Sequence, residues 1–166
     1  MRHYDWLAHY ARATPNAPCW TDLHSSRSYN FAEANDRVRK LAAHLAGACD
    51  VEKGDRVATL AMNSTDMLEV HAACAKLGAI FFPLNWRLAP PELDYIVNDG
   101  APKVLIHDDE TQPLLAGMTA TIPHQIRTNG MGGASVYEDV IAASDGDHPK
   151  PDVDLDDTWL ILYTSG

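Results

Sequence analysis

Apolar positions along the chain change period several times, and each change marks an element. Near the start, Tyr4, Leu7 and Ala11 recur at helical spacing. Pro15, which lacks an amide donor and restricts the residue before it, predicts the end of that short helix. PCWTDL and RSYNF flank His24, Ser25 and Ser26, a polar connector of hairpin length, which predicts two paired strands. Asn30 followed by Glu33 has the form of a capping box, and Val38, Leu41, Ala42 and Leu45 then share one helical face up to Gly47.

From Arg56 the rhythm becomes strand, helix, strand. RVATLAM is an apolar run behind the turn-prone Lys53, Gly54 and Asp55, and it reads as a buried strand. Asp66 and Glu69 are expected to cap the following helix, whose Met67, Val70, Cys74 and Leu77 share a face and whose stop is a left-handed Gly78. AIFFPL makes the next strand. Pro90 or Pro91 starts a helix through Leu93, Ile96 and Val97 that Gly100 ends, and KVLIH makes a third strand. Residues 108–135 are less regular, with Pro113, Pro123, a short strand at HQIRT and the glycine-rich connector NGMGGAS. A short helix, VYEDVIAA, is followed by a polar linker over 144–157 and then by TWLILY, read as a strong final strand over 158–163. Continuous apolar strands alternating with helices predict an α/β fold: a layered, mainly parallel sheet flanked by helices, with residues 1–166 forming one unit.

Composition narrows the function classes. Hydrophobic residues make up 46% of the chain and charged ones 22%, a globular rather than a disordered profile. The 13 Lys and Arg stand against 23 Asp and Glu, giving a formal charge of −10. With the basic residues scattered, this excludes a nucleic-acid partner and disfavours an acidic membrane surface. No apolar run approaches the ~20 residues of a membrane-spanning helix. The N-terminal MRHYDWLAHYAR lacks the apolar stretch of a secretory peptide, so a cytoplasmic protein is expected. Cys19, Cys49 and Cys74 form no CxxC pair and leave an odd thiol, which is neither a disulfide framework nor a zinc site.

The chemistry-bearing strings are few. Gly130, Gly132 and Gly133 do not make a GxGxxG fingerprint and read as a plain loop. The acidic run Asp152, Asp154, Asp156 and Asp157 fails as a calcium loop, because Asp157 and Tyr163 stand where Gly and a bidentate Glu are required. The eight histidines show no HExxH or paired spacing, and neither a GxSxG elbow nor a suggestive carboxylate pair is present. The sequence therefore offers no catalytic residue and no metal ligand. What remains is Tyr163, Thr164, Ser165 and Gly166, small residues delivered at the end of an apolar run. There, backbone N–H and hydroxyl donors can meet phosphate oxygens beyond the carboxyl end of a sheet.

Longer strings carry a resemblance: TPNAP after the first helix, SYNFAE, EKGDRVATLAMNS, AKLGAIFFPLNWRLAPPELDYIVNDGAPKVLI and DDTWLILYTSG. In these the chain resembles the N-terminal portion of the AMP-forming acyl-CoA synthetases, within the adenylate-forming superfamily. PLNWRL favours fatty or aromatic acyl-CoA ligases over amino-acid activators. In that family YTSG opens a loop of the form YTSGTTGxPK around the β- and γ-phosphates of ATP. The resemblance thus implies Thr164, Ser165 and Gly166 as ATP-binding residues, while the rest of that loop lies beyond the sequence in hand. It further implies a parent enzyme that uses ATP, Mg²⁺ and CoA to activate a small-molecule carboxylic acid, with this portion inactive alone. The apolar face of the last strand, Trp159 to Tyr163, separately predicts self-association of this portion. Two rivals are a free-standing, non-catalytic α/β module that docks a protein, and a small flavodoxin-like nucleotide binder, which the βαβ rhythm alone would permit.

Overall fold

The computed structural model describes residues 5–164. Asp5 opens the first helix, α1 (Trp6–Ala13), by accepting the Ala8 N–H at 2.9 Å, and the helix buries Leu7. It ends at Thr14, ahead of Pro15 as expected; Tyr4, also expected on its face, lies outside the described residues. The hairpin forms from β1 (Pro18–Thr21) and β2 (Ser28–Asn30), with Trp20 opposite Tyr29. The capping box is present in full at the start of α2 (Phe31–Gly47). Asn30 Oδ1 accepts the Glu33 N–H at 2.9 Å, and the Glu33 carboxylate accepts the Asn30 N–H at 3.0 Å. Val38, Leu41, Ala42 and Leu45 then sit wholly inside the core.

Four strands make the main sheet: β3 (Arg56–Leu60), β4 (Ile80–Pro83), β5 (Val104–His107) and β6 (His124–Arg127). All pair in parallel in the order β4-β3-β5-β6. Alternation along the strands splits the core in two. Val57, Val104, Ile106 and Ile126 face α1, α2, α3 (Thr65–Leu77) and α6 (Val136–Ala143). Ala58, Leu60 and Leu105 face the opposite layer, built on α4 (Pro90–Gly100) and the short α5 (Gln112–Gly117). Because β4 lies on one side of β3 and β5 on the other, the winding reverses between β3 and β5, the place where open α/β sheets form a crevice. Among the described residues, no helix is long and apolar enough to cross a membrane.

Four details depart from the sequence expectations. The left-handed residue that stops α3 is Gly78 as expected (φ 64°), but at the end of α4 it is Ala101 (φ 42°) rather than Gly100. Gly100 is needed for another reason: a Cβ there would stand 2.3 Å from Cε1 of the buried Phe82. The helix α5, six residues long with Pro113 in its first turn, occupies a stretch read as irregular. The carboxylates of Asp66 and Glu69 do not cap α3. Its N-cap is Ser64, which makes no side-chain capping bond, and both acids point into the protein.

The largest departure is TWLILY, which does not form a strand. It touches the sheet through one bridge, Leu160 beside Phe81 on the outer edge of β4. The bonds are Phe81 N–H to Trp159 O at 2.9 Å and Ile161 N–H to Phe81 O at 3.1 Å. Ile80 and Leu84 turn their N–H groups toward the β3 side, to Asp55 O and Thr59 O, so the outward positions of β4 are Phe81 and Pro83. Proline has no N–H, so the next rung of the ladder can keep at most one of its two bonds. The segment also lacks a strand's period, since Trp159 lies against His71 on the α3 side while Ile161 packs in the α4 cluster. Ahead of it, the 144–157 stretch is largely irregular and is tied down by Lys53, which donates to Asp152 O at 2.8 Å and pairs with Asp157 at 2.6 Å.

Candidate functional site

The candidate phosphate-binding residues begin where this last segment leaves β4. Tyr163 reaches back to α4, where its hydroxyl donates a short hydrogen bond to Asp99, and its ring lies 5.7 Å from that of Phe82. That bond to a carboxylate, with some burial, pushes the Tyr163 phenol up to about 12. Thr164 follows, exposed. Ser165 and Gly166 lie outside the described residues.

A second place to look is the crevice between β3 and β5, where the chain locks one of its own carboxylates. The Asp108 carboxylate, 5% exposed, accepts the Met62 N–H at 2.6 Å on one oxygen. Its other oxygen accepts the Thr111 N–H at 2.9 Å, and the single Thr111 hydroxyl proton is shared between that oxygen at 2.9 Å and Leu60 O at 2.6 Å. One backbone donor of the β3–α3 turn, where a doubly wound nucleotide binder meets phosphate, is thereby taken by a side chain. A cavity of about 410 Å³ lies outside this lock, lined by Met62, Asn63, Trp86, Arg87, Asp108 and Gly130 among others. Replacing Asp108 with Ala is expected to lower the unfolding free energy by about 1–2 kcal/mol, since water from that cavity replaces part of the lost bonding. Urea denaturation measures this, and an unchanged midpoint would mean that the lock holds nothing.

The glycine connector is likewise engaged from inside the protein. Gly130, Gly132 and Gly133 all adopt positive φ, and a Cβ at Gly132 would stand 2.9 Å from the Arg27 side chain. Arg27 donates to Gly130 O at 2.7 Å and to Asp66 at 2.6 Å, and Asp66 in turn accepts the Thr128 hydroxyl. Beside it, Arg37 bonds Glu69 at 2.6 Å and Glu138 at 2.7 Å, and the Tyr137 hydroxyl donates to Glu69 at 2.8 Å. Pairing stabilises the Arg37 cation further, whereas Glu69, fully buried, still has its pKa raised because desolvation outweighs the guanidinium. These ion pairs tie α2, α3, α6 and the 128–130 turn together. The sequence carried a signal for them: Asp66 and Glu69 fall with Val70 and Ala73 at i, i+3, i+4 and i+7, inside the stripe that α3 buries. Among the described residues, no three His, Cys, Asp or Glu side chains gather as a metal site.

Compared with known proteins, residues 7–166 match the family model described as AMP-binding enzyme. The chain belongs to this family. Its likeness is to the acyl-CoA synthetases of the family, in their N-terminal portion. The chain is 36% identical to a feruloyl-CoA synthase of Amycolatopsis over 161 residues, covering 97% of this chain and 30% of that enzyme. It is 32% identical to the long-chain-fatty-acid–CoA ligase FadD13 of Mycobacterium tuberculosis over 168 residues, 100% of this chain and 33% of that one. The chain thus spans about a third of the length of these relatives. Among solved structures, the N-terminal domain of FACL13 from Mycobacterium tuberculosis superimposes with a TM-score of 0.87 at 27% identity, over 99% of this chain and 42% of that one. The layered α/β fold read from the sequence is that of the family's N-terminal domains, and the winding and sheet order described above are its framework.

Proposed function

We propose that this chain is the N-terminal scaffold of an ATP-dependent acyl-CoA ligase, and that it presents the first residues of the enzyme's phosphate-binding loop at Thr164, Ser165 and Gly166. The observation that carries the reading is the match to acyl-CoA ligases across 97–100% of the chain, up to and including YTSG. In the reaction a carboxylate attacks the α-phosphorus of ATP, pyrophosphate leaves, and the acyl-adenylate passes its acyl group to the CoA thiol. Two anions must approach, so cations and well-placed donors have to offset the charge that builds on the phosphates. On this reading these 166 residues contribute a strand-edge platform, a tyrosine tethered to α4 and the hydroxyl of Thr164, and the cations are supplied by the rest of the enzyme.

It follows that the chain by itself binds ATP weakly and does not form an adenylate. Calorimetry of the purified 166-residue chain with Mg·ATP is expected to give no binding in the micromolar range. Extending the chain through a Thr-Thr-Gly-x-Pro-Lys continuation and the rest of the enzyme is expected to give ATP- and CoA-dependent thioester formation. Micromolar binding by the chain alone would overturn the first statement, and an extended protein that consumes no ATP with any carboxylic acid would overturn the second.

A further inference from the structure

The backbone of the 159–164 segment is bonded to β4 through Phe81 alone among the described residues, and side chains from the helical layers add two further holds on it. One grip comes from each side of the sheet. From α3, the His71 ring stacks on Trp159 with centroids 4.5 Å apart and planes 17° from parallel. Burial pushes the His71 pKa down, so the ring stacks as a neutral imidazole at pH 7. From α4, Asp99 holds the Tyr163 hydroxyl. The Asp99 anchor is stiff, because the next two carbonyls, of Gly100 and Ala101, are each bonded by the Arg56 guanidinium at 2.7 Å. Asp99 also stands in the last turn of α4, where a carboxylate is disfavoured by the helix dipole and gains from a nearby O–H donor.

We propose that Asp99 and His71 are positioning residues of the ATP site: acting through Tyr163 and Trp159, they fix the point at which Thr164 departs from the sheet edge. The proposal rests on the ligase reading above. Neither residue touches substrate; their work is to keep the start of the loop from swinging, which a loop that must wrap phosphates cannot tolerate.

The test uses two readouts. In the extended enzyme, Asp99→Ala, Tyr163→Phe and His71→Ala are each expected to raise the KM for ATP about tenfold, with kcat and the KM for the carboxylic acid within twofold of the parent. Asp99→Asn, which keeps an acceptor oxygen for the tyrosine, is expected to restore most of the ATP affinity. Combining Asp99→Ala with Tyr163→Phe is expected to be no worse than either alone, since both remove one interaction. In the 166-residue chain, amide hydrogen exchange at Ile161 and Phe81 is expected to speed up in Asp99→Ala and His71→Ala, while β3 and β5 exchange as before. An unchanged KM for ATP, an equal rise in KM for both substrates, or unchanged exchange at Ile161 would overturn the proposal. If the extended protein shows no ligase activity, the ligase reading fails by that result, and the exchange measurement alone then decides whether the two grips exist.

Discussion

Replacing Arg37 with Ala is expected to lower the unfolding free energy by about 3–5 kcal/mol, because it strands a buried carboxylate. Glu69 is completely buried, and Arg37 supplies two of its hydrogen bonds, at 2.6 and 3.2 Å. Without the guanidinium only the Tyr137 hydroxyl remains on that carboxylate, with Asp66 adding repulsion. Glu138, 23% exposed, can turn to water and is the lesser loss. The deficit has a pH signature. The Glu69 pKa is already raised above its ordinary value, and loss of Arg37 raises it further. A carboxyl raised in the folded state favours folding most below its unfolded pKa, and that advantage is lost as pH rises through the folded value. The variant should therefore be closest to the parent near pH 5 and furthest from it near pH 8. Urea unfolding at both values checks this, and adding Glu69→Gln is expected to recover part of the loss at pH 8. A deficit below about 1 kcal/mol that does not vary with pH would place the pair with ordinary surface bridges.

Gly100→Ala is expected to cost about 3 kcal/mol, at the upper end for overpacking, even though Ala favours helices over Gly by about 1 kcal/mol. The new Cβ would stand 2.3 and 2.6 Å from two ring atoms of Phe82. The ring has no exit: Phe82 is fully buried in the cluster with Leu93, Val97 and Leu105. Nor can the backbone easily back away, since Arg56 holds the Gly100 and Ala101 carbonyls. Phe82→Leu in the same background should return much of the loss, so the pair is expected to be far from additive. Additive losses, or a Gly100→Ala protein as stable as its parent, would show that the contact is softer than its geometry.

What could be read from the chain beforehand divides by range. The capping box of Asn30 and Glu33, the glycine stop at Gly78 and the period-2 and period-3.6 runs are local, and local rules sufficed for the hairpin, α2 and the parallel sheet. α5 escaped because six residues carry little periodicity. The spacing of Asp66 and Glu69 predicts caps because it carries no sign of their partners, Arg27 and Arg37, which lie far off in the chain. Gly100 looked like a helix stop, while its real constraint comes from the ring of Phe82 on β4. TWLILY has every composition cue of a strand, but its pairing depends on the neighbouring strand, where a proline withholds one donor and a single bridge forms. Of the candidate site, the string YTSG was legible by resemblance. Its grips were not: Asp99 and Tyr163 are 64 residues apart in sequence.

Pro83 also bears on how this segment could meet another molecule. TWLILY is apolar, uncharged, rich in residues that favour strands and free of proline, the makeup of segments that stack into cross-β aggregates. Laid flat along β4, it would offer neighbouring molecules a ready template. With one rung formed, and with its side chains crossing from one layer to the other through Leu160, it offers no straight row of donors and acceptors to copy. The proline thus shapes the pairing open to a stretch of chain other than its own.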